Sequence, residues 1–282
     1  MVCEHAHMGS VISKDRTVEA LREVWTSIDD LLSGLSDDEW HAPTVLAGWD
    51  VQDNVAHIIG TEEMLNGVAA PAIEIDRGAR IHVRNDIGEF NEKWVESIRP
   101  MDPPLVLTRF GEITAERLAV LDAMSQDEWD AESSTPAGKD TFGRFMQIRV
   151  FDCWLHEQDI RDAVGRPGDE SGLAVEVTLD ELTTALGFVV GKKAGAQPGD
   201  RVTFALTDGG AVVRKIHVEV VERAMVVDRL HLPATLVLTM PVGVMTRRCA
   251  GRVRPDELLD QIVIDGDEDL AHRILENQAY TI

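Results

Sequence analysis

Three features are scarce in this chain of 282 residues, and each shortage excludes a class of protein. The three cysteines, Cys3, Cys153 and Cys249, are far apart and odd in number, which gives no disulfide framework and favours a reducing compartment. No apolar run approaches the ~18–20 residues of a membrane span, and the N-terminus lacks the apolar core of a signal peptide. We therefore expect a soluble cytoplasmic protein without a membrane partner. Near the N-terminus, Cys3, His5 and His7 could bind a metal adventitiously, although a flexible tail is the simpler interpretation.

Basic residues are the third shortage: 27 Lys and Arg stand against 50 Asp and Glu, which gives a formal net charge of −23. A nucleic-acid-binding face needs clustered Lys and Arg, so this balance argues against a nucleic-acid partner. The acids are interspersed along helical stretches, which is typical of a solvated surface. An anionic small molecule would need a local arginine to bind against this field.

Apolar residues recur at helical spacing through the first half of the chain. Helices are predicted within 16–34, 48–70, 82–100, 103–124 and 141–165. The pattern Ser-x-Asp-Glu-Trp stands at 36–40 and again at 125–129, each time between two of the longer helices. This echo predicts an antiparallel four-helix bundle built from two similar helical pairs. Two unrelated helix caps would give the same pattern, because Ser and Glu three residues apart form a capping box.

The segment GRPGDESG at 165–172 predicts a domain boundary, because it combines a helix stop, a proline and several glycines. Beyond it the pattern changes to one helix, strands at 201–207, 212–221 and 234–240, and two short helices. Asp208-Gly209-Gly210 is a hairpin signal between the first two strands. We therefore predict three parts: a flexible N-terminus over 1–15, a helical bundle over 16–165, and a smaller α+β domain over 172–282.

A candidate metal site combines residues from two of the predicted helices. Asp152 and His156 are four residues apart in the last helix of the bundle, so both side chains face the same side. His57 lies in the predicted helix within 48–70, which is the second helix of the first pair. Ligands on facing helices converge in a bundle core. Three such ligands leave one position open, as in a catalytic zinc site. Spacing alone also permits a solvated helix face on which Asp152 pairs with Arg149 or His156.

Three further residues lie close to these candidates in the sequence. Asp53 and Asp159 are one turn from the two histidines, where they could orient the rings or simply face solvent. Cys153 points about 100° away from Asp152 around the helix. We interpret it as a packed small residue rather than a nucleophile.

Two segments carry a resemblance to a known family: LAGWDVQDNVAHIIGTEE at 46–63 and RVFDCWLHEQDIRDAVGRPG at 149–168. They resemble the metal-binding domain of the mycothiol-dependent maleylpyruvate isomerases, a group within the DinB/YfiT-like superfamily of four-helix metalloproteins. The segment RNDIGEFNEKW at 84–94 resembles the actinobacterial branch of this group. The C-terminal IVIDGDEDLAHRILENQAYTI resembles a sterol-carrier-like domain. The resemblance implies a DinB-like bundle followed by a sterol-carrier-like α+β domain.

The resemblance also implies which residues bind a metal. The family's ligand positions fall on His57, Asp152 and His156, and the implied cofactor is a divalent metal, with zinc favoured. The isomerases have glutamate where this chain has Asp152. That departure implies either a metal drawn toward this helix or a weaker site.

The isomerases use arginine to hold an anionic substrate, and the best matching positions here are Arg84 and Arg252. Arg247 and Arg248 lie close to the second of these, so that assignment stays open. The implied activity is a metal-dependent isomerase or transferase that acts on a small electrophile with a mycothiol-like thiol as cosubstrate. Two other functions fit the same residues: a non-catalytic metal- or ligand-binding protein, and a metal-dependent hydrolase.

Overall fold

The computed structural model describes residues 11–80 and 82–280 and divides the chain into two compact units, Met1–Gly168 and Asp169–Ile282. The first unit is helical and the second contains a five-stranded sheet. The predicted fold class, a helical bundle followed by a smaller α+β domain, is confirmed. The N-terminal candidates for adventitious metal binding lie outside the described residues: Cys3, His5 and His7.

Four long helices form the body of the first unit, and each contacts two of the others. The contacting pairs are α1 with α5, α5 with α3, α3 with α7, and α7 with α1. The helices are α1 (Lys14–Ser33), α2 (Asp37–Trp40), α3 (Val51–Leu65), α4 (Asp86–Ile98), α5 (Pro103–Ala123), α6 (Gln126–Trp129) and α7 (Phe142–Ala163). The short helices α2 and α6 follow α1 and α5, so the echoed sequence pattern corresponds to an echoed structure.

The ends of these helices follow from local chemistry. Asp50 caps α3 by accepting from the backbone N–H of Asp53, whose own side chain accepts in return from Asp50. The prediction extended this helix to residue 70, but α3 ends at Leu65. Gly67 follows with φ of +86°, a left-handed conformation that favours glycine and terminates helices.

A β-hairpin occupies the connection before α7, where the sequence suggested only a loop. Strand β1 (Glu132–Thr135) pairs antiparallel with β2 (Gly138–Thr141). Thr141 ends the hairpin and caps α7, because its hydroxyl accepts from the backbone N–H of Arg144. Strands this short have little periodicity of their own, which is why the pattern did not indicate them.

Helices α3 and α7 are buried on nearly every side. All of α3 from Val51 to Glu62 is buried, and so is almost all of α7 from Gly143 to Ile160. A helix that is enclosed in this way also buries its polar side chains, and those side chains must find partners inside the protein. The candidate site is made of such buried polar side chains.

The second unit contains a mixed sheet with strand order β5-β4-β3-β6-β7, in which only β3 and β6 are parallel. Gly209 and Gly210 form the predicted two-residue hairpin, both with positive φ. The elements are α8 (Leu173–Phe188), β3 (Arg201–Asp208), β4 (Ala211–Val220), β5 (Ala224–Val227), β6 (Leu236–Pro241), α9 (Val242–Cys249), β7 (Val263–Gly266) and α10 (Glu268–Glu276). The sequence did not indicate the two edge strands, β5 and β7, which are four residues each. None of the described helices combines the length and the apolar character needed to cross a membrane.

Candidate metal centre

Three potential ligands meet where α3 faces α7. One ligand atom from each of His57, Asp152 and His156 lies within 4.8 Å of the other two. His57 Nε2 is 3.0 Å from Asp152 Oδ2, and His156 Nε2 is 3.6 Å from Asp152 Oδ1. The two imidazole rings meet edge to face with their centroids 4.7 Å apart. The structure therefore brings together the three residues that the sequence singled out.

Access to this triad is one-sided. His57 and His156 are only 6% and 5% exposed, whereas the side chain of Asp152 is 31% exposed. The histidines thus form the inner part of the site and the carboxylate forms its open edge. A small molecule that reaches the triad would approach along this edge.

The charges at the site favour an ionised carboxylate. Burial opposes the charge on Asp152, but His57, Arg149 and His156 outweigh it and hold the pKa of the carboxyl well below its usual range. Burial lowers the pKa of His57. Burial also opposes protonation of His156, but the adjacent Asp152 carboxylate prevails and raises the pKa of this ring. A bound cation would compete with the proton that Asp152 favours on His156, because metal ligation requires neutral imidazole.

The orientation of His156 is fixed by Asn54. The Asn54 side-chain amide donates to the Asp50 backbone carbonyl at 2.8 Å, so its Oδ1 faces the ring as an acceptor. His156 Nδ1 lies 2.8 Å from that oxygen and 3.4 Å from Asp159 Oδ2. Nδ1 therefore donates, so in the neutral ring Nε2 carries the lone pair on the side of the triad.

The second histidine has no such support. The buried Nδ1 of His57 has no hydrogen-bond partner among the described residues. Asp53, which the sequence placed one turn away as a possible orienting group, instead accepts from Arg99 at 2.8 Å and from the backbone N–H of Asp50 at 3.1 Å. The two rings of the triad are therefore held to different degrees.

A buried network of charges lies behind Asp152. Arg149 Nη1 donates to Asp152 Oδ2, while its Nε donates to Glu62 Oε1 at 2.8 Å. The other oxygen of Glu62 accepts from Arg117 Nε at 3.2 Å. The pairing of Asp152 with Arg149 that spacing permitted does occur, but Arg149, Glu62 and Arg117 are all buried. The network belongs to the core and not to a solvated helix face.

An indole covers the two histidines on another side. The ring of Trp49 lies 5.5 Å from that of His57 and 6.1 Å from that of His156, centroid to centroid. Its Nε1 donates to Glu92 Oε2 at 3.0 Å, and this buried carboxylate also accepts from Arg80 Nε at 3.0 Å. Trp49 is thereby anchored between the loop before α3 and helix α4.

The donor set fits a divalent metal. Two imidazoles and one ionised carboxylate converge, and a matching hydrogen bond leaves the Nε2 lone pair of His156 free for the site. With Nε2 of His57 on a metal, Nδ1 would carry the ring proton, for which the described residues offer no acceptor. Two nitrogens and one oxygen are ligands that zinc accepts.

Comparison with known proteins identifies the family. The model of the mycothiol maleylpyruvate isomerase N-terminal domain matches residues 21–161. The chain belongs to this family. The matched range includes α3 and α7 and therefore all three residues of the triad. No curated protein matches the sequence significantly.

Solved structures of the mycothiol-dependent maleylpyruvate isomerase and of its histidine-to-alanine mutant share the fold of both units. They align with TM-scores of 0.55 and 0.54 at 17% identity, over 90% of this chain and 93% of theirs. At this identity the similarity concerns the fold alone. A colibactin self-resistance protein solved with double-stranded DNA aligns with a TM-score of 0.41 and 15% identity, over 56% of this chain and 99% of that one.

The two arginines that the family resemblance singled out lie outside the triad. Arg84 is exposed in the turn before α4, and none of the hydrogen bonds of the triad residues involves it. Arg252 follows α9 in the second unit, half-buried, with Nη1 donating to the Ala250 carbonyl at 3.2 Å. Their role as substrate-binding residues stays a prediction.

Sequence reasoning missed several residues around the triad. Asn54 had a usable signal, since it lies one turn before His57 in a helix without an exposed face. Trp49, Glu92 and Glu62 had none, because the contacts Trp49–Glu92, Glu62–Arg149 and Trp49–His156 join residues 43, 87 and 107 positions apart.

Proposed function

We propose that this protein is a metal-dependent isomerase or transferase that uses a low-molecular-weight thiol of the mycothiol type on a small electrophile. The observation that carries the proposal is the convergence of His57, Asp152 and His156 in a chain of this family. These residues would hold a divalent metal, and zinc is the one that we favour from the donor set. When bound, such an ion lowers the pKa of a coordinated thiol, so that a thiolate is available near neutral pH.

The surrounding residues prepare the site for that role. Asn54 fixes the tautomer of His156, and Arg149 holds the ionised carboxylate of Asp152. Trp49 covers the two imidazoles with an apolar ring and excludes water from that side. The exposed edge at Asp152 then leaves one direction of approach for the thiol and the electrophile.

Substrate binding is assigned to two arginines. We assign an anion-binding role to Arg84 and, separately, to Arg252, because a guanidinium can hold a carboxylate with two parallel hydrogen bonds. A chain with 50 acidic and 27 basic residues needs such a local positive group to attract an anion. A free thiol cosubstrate also suits the reducing cytoplasm that we infer for the protein.

The first test is the metal content of the purified protein. We expect about one metal ion per chain in the wild type and almost none in His57→Ala and His156→Ala, because each variant removes one of three ligands. His272→Ala is the matched control, since it removes an exposed histidine on α10. A metal-free wild type purified without chelator would overturn the proposal.

A turnover assay then separates the remaining functions. The proposal requires a reaction with a small electrophile that depends on both the metal and a mycothiol-type thiol. Metal-dependent turnover without any thiol would show a hydrolase that uses water at the same site. Bound metal without turnover over a panel of electrophiles would favour a binding protein.

A further inference from the structure

We propose that Arg149 is a positioning residue of the metal centre: it holds Oδ2 of Asp152 and so assigns Oδ1 to the metal. The inference rests on the proposed function only in assuming that a metal binds. It predicts that the carboxylate coordinates through one oxygen, which keeps a position open for an incoming ligand.

The first step of the argument is how Asp152 is held. Its Oδ2 accepts from Arg149 Nη1 and lies 3.0 Å from His57 Nε2. Among the described residues, its Oδ1 faces only His156 Nε2, at 3.6 Å, which is too long for a hydrogen bond. One oxygen is thus held by a permanent cation, and the other faces the ring whose Nε2 is free.

The second step is that Arg149 cannot move away. Its side chain is 3% exposed, and its Nε donates to Glu62 Oε1 at 2.8 Å from the facing helix α3. Glu62 is held in turn by Arg117 on α5, whose Nη1 donates to Asn66 Oδ1 at 2.9 Å. A planar guanidinium bound along two edges has a fixed orientation, so the bond to Asp152 is fixed as well.

The third step concerns charge. A lone arginine beside a metal would repel it, and this could outweigh any benefit of orientation. Here the two cations, Arg149 and Arg117, face two anions, Glu62 and Asp152, within one buried network. The network is neutral overall, so the main effect of Arg149 on a bound cation is to orient its carboxylate ligand.

The test compares zinc affinity among three variants by competition with a chromogenic chelator. Arg149→Met removes the bond to Asp152, and we expect about 10- to 100-fold weaker zinc binding, the usual effect of losing a group that orients a metal ligand. Arg149→Lys keeps the charge but cannot reach Glu62 and Asp152 together, so an intermediate loss is expected.

Arg161→Met is the matched control. Arg161 lies on the same helix and its Nε also bonds a buried glutamate, Glu157, at 2.8 Å. None of its bonds reaches Asp152, so zinc affinity should stay within about twofold of the wild type. Circular dichroism in chelator checks that all variants fold. If Arg149→Met does not fold, Arg149→Lys decides the question.

The cobalt-substituted protein supplies a readout that a purely structural role would not move. Freeing Oδ2 allows the carboxylate to bind through both oxygens, so the visible d–d bands of Arg149→Met should lose intensity as the coordination number rises. Unchanged zinc affinity and an unchanged cobalt spectrum in a folded Arg149 variant would overturn the inference alone. A wild type that binds zinc without thiol-dependent turnover would overturn the proposed function and leave the inference standing, and a wild type that binds no zinc would overturn both.

Discussion

The two helical pairs of the first unit have similar turns, but they contribute different residues to the candidate site. The pair α1–α3 contains Ser36 and Trp40 where the pair α5–α7 contains Ser125 and Trp129. Both serines form complete capping boxes, and both indoles are buried. The repeated pattern therefore builds the turn that starts each return across the bundle, and nothing in it reaches the metal centre.

The differences between the pairs are what make the site. The first connection places Trp49 beside the two imidazoles, whereas the second forms the hairpin β1–β2. Helix α3 supplies the buried anion Glu62, and α7 supplies the buried cation Arg149 that binds it. The residues of the candidate site therefore lie where the two pairs differ, on the buried faces of α3 and α7.

The largest expected effect comes from breaking the charge complementarity between the pairs. Glu62→Leu leaves Arg117 and Arg149 buried without their shared anion, which should lower the free energy of unfolding by about 3–5 kcal/mol. The neighbouring Glu63 also pairs with an arginine, Arg109 at 2.9 Å, but near the surface. Glu63→Leu should cost about 1 kcal/mol or less. Urea unfolding measures both, and equal losses would contradict the distinction.

A smaller effect is expected from removing the hydrogen bond that orients one of the two histidines, His156. Asn54→Ala removes the acceptor of His156 Nδ1 and should weaken zinc binding about 10- to 100-fold. Asp53→Ala, the adjacent change, removes the Arg99 pair and the acceptor of the Asp50 backbone N–H without touching either ring. It should lower stability but leave zinc affinity within about twofold. If both variants lose zinc equally, Asn54 acts through the helix and not through the ring.

The sequence predicted the features that local chemistry determines. The helical first half and the i, i+4 pairing of Asp152 with His156 follow from periodicity, caps and spacing. The convergence of His57 with that pair needed the bundle topology and the family resemblance as well. The bonds of Arg149 to Glu62 and of Trp49 to Glu92 join residues 87 and 43 positions apart, so only the tertiary packing of enclosed helices reveals them.

The smallest expected effect concerns the repeated capping boxes, and its pH dependence has a definite sign. Ser36 donates through its backbone N–H to Glu39 Oε2 at 2.8 Å, and Ser125 does the same to Glu128. These backbone and hydroxyl bonds lower the pKa of both glutamates below the ordinary 4.5. A carboxyl whose pKa is lowered by folding stabilises the folded state above its unfolded pKa. That stabilisation is lost as the pH falls through the folded pKa.

Ser36→Ala and Ser125→Ala should therefore each cost about 1 kcal/mol near neutral pH, the usual loss for an N-cap serine. Each penalty should shrink as the pH falls below 4.5 and through the lowered folded pKa, since protonation of the glutamate already removes the reciprocal half of the box. Chemical unfolding of both variants and the wild type over this range measures the two penalties together. Because both boxes have the same bonds, the two pH profiles should have the same sign, and zinc affinity should stay unchanged. If a capping variant lost zinc affinity, the repeated capping boxes would contribute to holding the metal ligands.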